Sequence, residues 1–158
     1  MELLTAVKGG LSGALETYAG RLRQLAEGLS DEQFWTRPYP YGNSFGHLVL
    51  HVTGNLNGYI GAQLAGTGYV RNREREFTEA FKPSKKDVLE AFDHTVEMVS
   101  GVLGTQTSEN LGTVPSKTEG THFSDHSRLG VFFHCVSHLN HHVGQMIYLE
   151  KELHRTVR

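Results

Sequence analysis

The sequence has 158 residues, of which 15 are basic and 17 acidic, for a formal net charge of −2. That length is ample for one domain spanning residues 1–158 with its own core, and so even a charge balance gives no field for nucleic acid or an anionic membrane. The single cysteine, Cys135, excludes an internal disulfide and any cysteine-based zinc cluster.

Leu4, Val7, Leu11, Leu15, Tyr18, Leu22, Leu25 and Leu29 recur every three or four residues, so residues 2–28 are expected to form an amphipathic helix. Gly9, Gly10, Gly13 and Gly20 weaken it by roughly 1 kcal/mol each relative to alanine, so packing must hold it. Lys8, Glu16, Arg21 and Arg23 interrupt its apolar character, so neither a signal peptide nor a membrane span is expected, and a cytoplasmic protein is. Ser30 to Gln33 has the pattern of a capping box opening a short turn of helix. Phe34 and Trp35 are then placed to plug the end of a bundle before the Pro38–Pro40 break.

Asn43 or Ser44 is expected to cap a second helix over 44–65, with Phe45, Leu48, Val49, Val52, Leu56, Tyr59 and Ile60 on its apolar face. On the helical wheel His51 lies at the border of that face beside Asn55, and His47 is turned further out. Residues 66–83 form a long link with a charged run, Arg71-Asn72-Arg73-Glu74-Arg75-Glu76. A solvated loop is the preferred reading of the run; the sharper one has Arg71 or Arg73 overhanging a site and attracting an anionic substrate. Ser84, with Asp87 in the capping-box position, starts a third helix over 84–103. The Gly-, Thr- and Ser-rich residues 104–125 read as a loop, and Asp125 or Ser127 starts the last helix near 126–152. No stretch alternates at period two for long enough to make a strand. Four long amphipathic helices imply an all-α four-helix bundle.

The last helix carries four histidines in nine residues, His134, His138, His141 and His142. His142 falls within its apolar face and His138 on the border, while His134 and His141 lie further round toward the polar side. Rings at i and i+4 stack one turn apart, and neutral imidazole is the commonest metal ligand. A single histidine on an apolar face is more often a core residue with a hydrogen-bond partner, so a second helix has to decide. If the second and last helices are neighbours, His51, His138 and His142 point into one groove. Three imidazoles would hold zinc, nickel or iron and leave positions open for water or substrate, the pattern of a catalytic site. A coordinated water would ionise near pH ~7 and a coordinated thiol outright. HExxH is absent, and the one Glu-x-x-His, Glu119 to His122, lies in a loop, which argues against a zincin and a carboxylate di-iron bundle. The spacing also admits a bis-histidine haem, although there is no Cys-x-x-Cys-His for its covalent attachment. His94, His122, His126 and His154 are expected to face solvent, with His47, His134 and His141 as neighbours of the site or its alternative ligands. Cys135 reads as a small hydrophobe.

The segment Asn43-Ser-Phe-Gly-His-Leu-Val-Leu-His51-Val-Thr-Gly-Asn55 resembles the second-helix motif of the DinB/YfiT-like superfamily. His138-Leu-Asn-His-His142-Val-Gly144-Gln145 resembles that family's His-x-x-x-His followed by Gly-Gln. Residues 30–38, 71–77 and 147–151 fit as well, so the resemblance covers most of the chain in the right order. It implies a four-helix bundle with a long crossover between helices two and three, often dimeric, and one divalent metal held by a triad that carries over to His51, His138 and His142. His47 and His141 stand outside the pattern. Relatives of this kind include thiol S-transferases using bacillithiol or mycothiol, a maleylpyruvate isomerase and proposed metal hydrolases. The expectation is a metal-dependent S-transferase or hydrolase acting on a small-molecule substrate, with a low-molecular-weight thiol or water as the nucleophile, assembled as a homodimer without nucleic-acid or membrane partners. The alternatives are a non-catalytic metal-binding stress-response or partner-binding protein, and a bundle whose histidines are only structural.

Overall fold

The computed structural model describes residues 2–115 and 126–155. Among these the secondary structure is entirely helical: α1 (Leu3–Glu27), α2 (Asp31–Trp35), α3 (Phe45–Leu56), a π-helical continuation (Asn57–Leu64), a 3-10 turn (Glu74–Glu76), α4 (Lys85–Gly104), α5 (Ser108–Leu111) and α6 (Arg128–Arg155). The starts follow the expected chemistry. Ser30 and Gln33 form a reciprocal capping box, Ser44 accepts from the His47 amide, and Ser84 accepts from that of Asp87. Ser127 accepts from the Gly130 amide at the head of α6. No helix among the described residues is long and apolar enough to cross a membrane.

The four long helices pack in the cyclic order α1, α6, α3, α4. Lys8 reaches the α4 terminus at Gly104, and Arg23 pairs with Asp93, so α1 and α4 run antiparallel. Asn57 donates to Thr95 and Gly61 lies against Met98, which makes α3 and α4 parallel. Parallel neighbours need a connection that returns along the bundle, and residues 65–84 provide it. The returning strand lies on α3. Thr67 bonds the Gly61 carbonyl, Arg71 crosses Gly58, Phe77 packs on His51, and the Thr78 carbonyl meets His47. The core beneath is filled by Phe34, Phe45, Phe92, Phe132, Leu15, Leu22, Leu139 and Met146, all essentially inaccessible.

Two elements differ from expectation. The second helix is regular only to Leu56. Asn57 turns its side-chain amide onto the Thr53 carbonyl, 3.1 Å away, competing with the backbone ladder. Gly58 and Gly61 then tolerate the wider π turn. Residues 104–125 are not loop throughout, because Thr107 and Asn110 form a second capping box around the single turn of α5. Glu119, His122 and Asp125 lie outside the described residues.

Candidate metal centre

α3 and α6 are packed neighbours, and Tyr59 against His134 with His51 against His142 shows them antiparallel. His51 faces the turn of α6 that carries His138 and His142. The Nε2 of His138 lies 3.2 Å from the Nε2 of His51 and 3.2 Å from that of His142. One ring nitrogen from each residue falls within 4.8 Å of the others. His51 and His142 are buried and His138 is half-buried.

The outward nitrogens differ from ring to ring. His51 Nδ1 lies 2.8 Å from Glu76 Oε2. His142 Nδ1 lies 2.8 Å from Gln145 Oε1, and the Gln145 amide nitrogen is 3.3 Å from His141 Nε2, so the oxygen of Gln145 is the atom turned to His142. Among the described residues the buried Nδ1 of His138 has no hydrogen-bond partner. Burial, followed by the charges of His142, His51, His134 and Arg71, brings His138 down to about 3. Burial, partly offset by the Gln145 hydrogen bond, brings His142 down to about 4. Both rings are therefore neutral at physiological pH, the state in which imidazole binds metal.

The other histidines sort differently from the wheel. His47 is not turned outward: it is fully buried, with Nδ1 2.7 Å from Ser44 Oγ, Nε2 3.2 Å from the Thr78 carbonyl oxygen, and the Trp35 ring packed edge-on. Burial lowers its pKa, against the Thr78 hydrogen bond. The returning strand covers that side of α3, which a wheel drawn for an isolated helix leaves open. His134 is also buried rather than polar-facing, stacked on His138 at 5.7 Å and edge-on to Tyr59 at 5.0 Å. His141 is exposed, as are His94 and His154; His126 is half-buried. Cys135 is fully buried and burial pushes its thiol far up, so it serves as packing.

The charged run is not simply a solvated loop. Residues 72–75 are exposed, but Glu76 is only 6% exposed and Arg71 is half-buried beside it. Glu76 is the site residue that sequence reasoning missed. Its one sequence signal is its place at the end of the run, immediately before the aromatic Phe77.

In sequence, the profile of the DinB superfamily matches residues 14–146. No functionally curated protein matches the chain. Among solved structures, the chain is similar to a conserved protein from Enterococcus faecalis, with a TM-score of 0.74 at 16% identity over 97% of this chain and 98% of that one. At that identity the likeness is one of fold.

Proposed function

Because the chain belongs to the DinB superfamily, we propose that His51, His138 and His142 hold one divalent metal, zinc, nickel or iron, and that the protein is a metal-dependent enzyme. The observation carrying this reading is the approach of the Nε2 of His138 to those of both His51 and His142 at 3.2 Å. With Nδ1 of His51 and His142 facing side-chain oxygens, the lone pairs of their Nε2 atoms point inward. A proton on His138 can satisfy one of these approaches; a cation satisfies all three rings. Two imidazole nitrogens bound at ~2.1 Å to one ion and subtending ~100° sit ~3.2 Å apart, which both approaches of His138 match; His51 and His142, within 4.8 Å of each other, would draw together around the ion.

A divalent cation there would supply Lewis-acid activation of a small thiol or water for transfer to, or hydrolysis of, a small electrophilic substrate. The protein's own part is to keep the His138 and His142 rings neutral and to orient the donors. Burial of His138 and His142 does the first, and Gln145 does the second for His142. Phe77 packs on the His51 ring at 4.9 Å between centroids.

The test is elemental analysis of tag-free protein purified without chelator, followed by cobalt loading and titration with several small thiols beside a thiol-free ester and amide assay. About one metal per chain is expected, with an ultraviolet charge-transfer band on adding thiol if the protein is an S-transferase. Thiol-independent turnover without such a band would make it a hydrolase. Bound metal with neither response would make it a non-catalytic metal-binding protein, and no metal uptake would defeat the reading altogether.

A further inference from the structure

Glu76 is a carboxylate brought to the back of His51 by the strand returning along α3. Its position is fixed by two independent features, the first of which also sets its charge. The first is a clamp: Arg71 donates from Nε to Oε1 at 2.6 Å and from a terminal nitrogen to Oε2 at 2.8 Å, a two-pronged grip. The second is a notch in α3. A Cβ on Gly54 would stand 2.2 Å from Glu76 Oε1 and 2.9 Å from its carboxyl carbon, so the carboxylate reaches His51 only because residue 54 has no side chain. A carboxylate gripped on both oxygens by a guanidinium is ionised, and in keeping with that clamp, against burial, Arg71 and His51 hold the carboxyl below the usual range.

An ionised carboxylate can only accept. His51 Nδ1 also lies 3.2 Å from an Arg71 nitrogen, which would suit a bare Nδ1. The carboxylate is nearer, at 2.8 Å, and a bare lone pair facing it would be repelled. Nδ1 of His51 therefore carries the proton, and Nε2 is left as the lone-pair donor facing His138. We propose that Glu76, locked by Arg71 and admitted by Gly54, is the positioning residue of the site: it fixes the tautomer and ring orientation of His51 and so turns the Nε2 lone pair toward His138. The proposal rests on the metal reading for its purpose but not for its first test. Among the described residues, His142 has the neutral Gln145 behind it and the Nδ1 of His138 has no hydrogen-bond partner. The one carboxylate among the three backing positions is thus spent on the ligand from α3, the lone ligand on its helix.

Metal-free protein labelled with 15N-histidine, studied by long-range proton–nitrogen correlation and assigned with His51→Asn, reads the tautomer directly. The wild type is expected to carry the His51 proton on Nδ1. Glu76→Ala should move it wholly or partly to Nε2 and weaken zinc binding, measured by chelator competition, by up to ~100-fold. Glu76→Gln keeps an acceptor oxygen but sets its amide against Arg71; it should retain the tautomer and lose about 10-fold. Gly54→Ala alters no charge and installs the better helix former, so it should fold, yet it should displace the carboxylate and reproduce the Glu76→Ala result. A wild-type His51 protonated on Nε2 overturns the proposal, as do wild-type tautomer and zinc affinity in both Glu76→Ala and Gly54→Ala. Failure of the wild type to bind zinc would remove the metal reading alone, because the tautomer and its shift are measured without metal.

Discussion

Lowering the pH of the chelator-treated protein from near 8 to near 5 should remove about 4 kcal/mol of folding stability through His138 and His142 alone. In the folded chain burial and neighbouring imidazoles bring His138 down to about 3, and burial brings His142 down to about 4. In the unfolded chain both rings titrate near ~6.5. Above that pH neither state takes up a proton and the stability is fully present. Below it the unfolded state binds protons that the folded state refuses, so stability falls until the pH passes the folded values. Each pH unit below the unfolded value costs about 1.4 kcal/mol per ring, so at pH 5 each ring has lost about 2 kcal/mol. That is a large share of the ~5–15 kcal/mol that stabilises an ordinary domain. The assay is urea unfolding at both pH values, for the wild type and for a His138→Leu, His142→Leu double variant. Groups remote from the site are common to both proteins, so the difference reports the buried pair together with its coupling to the neighbouring His51. Equal pH dependence in the two proteins would refute the argument that these rings are buried neutral.

Substituting His142→Ala should lower metal affinity by orders of magnitude with loss of any activity, whereas the exposed His154→Ala should leave metal content unchanged; elemental analysis after dialysis decides. Gly46→Ala should destabilise by about 1–3 kcal/mol in urea melts, because its Cβ would stand 2.6 Å from the Trp35 ring and 2.8 Å from that of Phe34. A stability equal to wild type would mean that α2 shifts freely on α3. The chain should assemble as a homodimer, in keeping with an α1 that leaves Gly9, Gly10, Gly13 and Gly20 open; light scattering giving a monomer mass at micromolar concentration would dispose of this.

Local sequence determined most of the helical framework. Ser30 with Gln33, Ser44 and Ser84 start the helices they were expected to start, because a cap depends only on a hydroxyl and backbone amides within four residues. The grouping of His51, His138 and His142 was legible for a similar reason: His138 and His142 share a face through helical periodicity, and His51 stands at the equivalent border of a second apolar face. Tertiary structure decided what covers those faces. A wheel assigns His47 and His134 to the outside, yet the Thr78 carbonyl and the Tyr59 ring close over them from segments remote in sequence. It also decided the fate of the charged run. Six consecutive polar residues cannot reveal that Asn72 to Arg75 are solvated while Arg71 and Glu76 turn inward. That outcome follows from the parallel packing of α3 and α4, which brings the connecting strand back along α3, and from the missing side chain at Gly54, which lets a carboxylate reach His51.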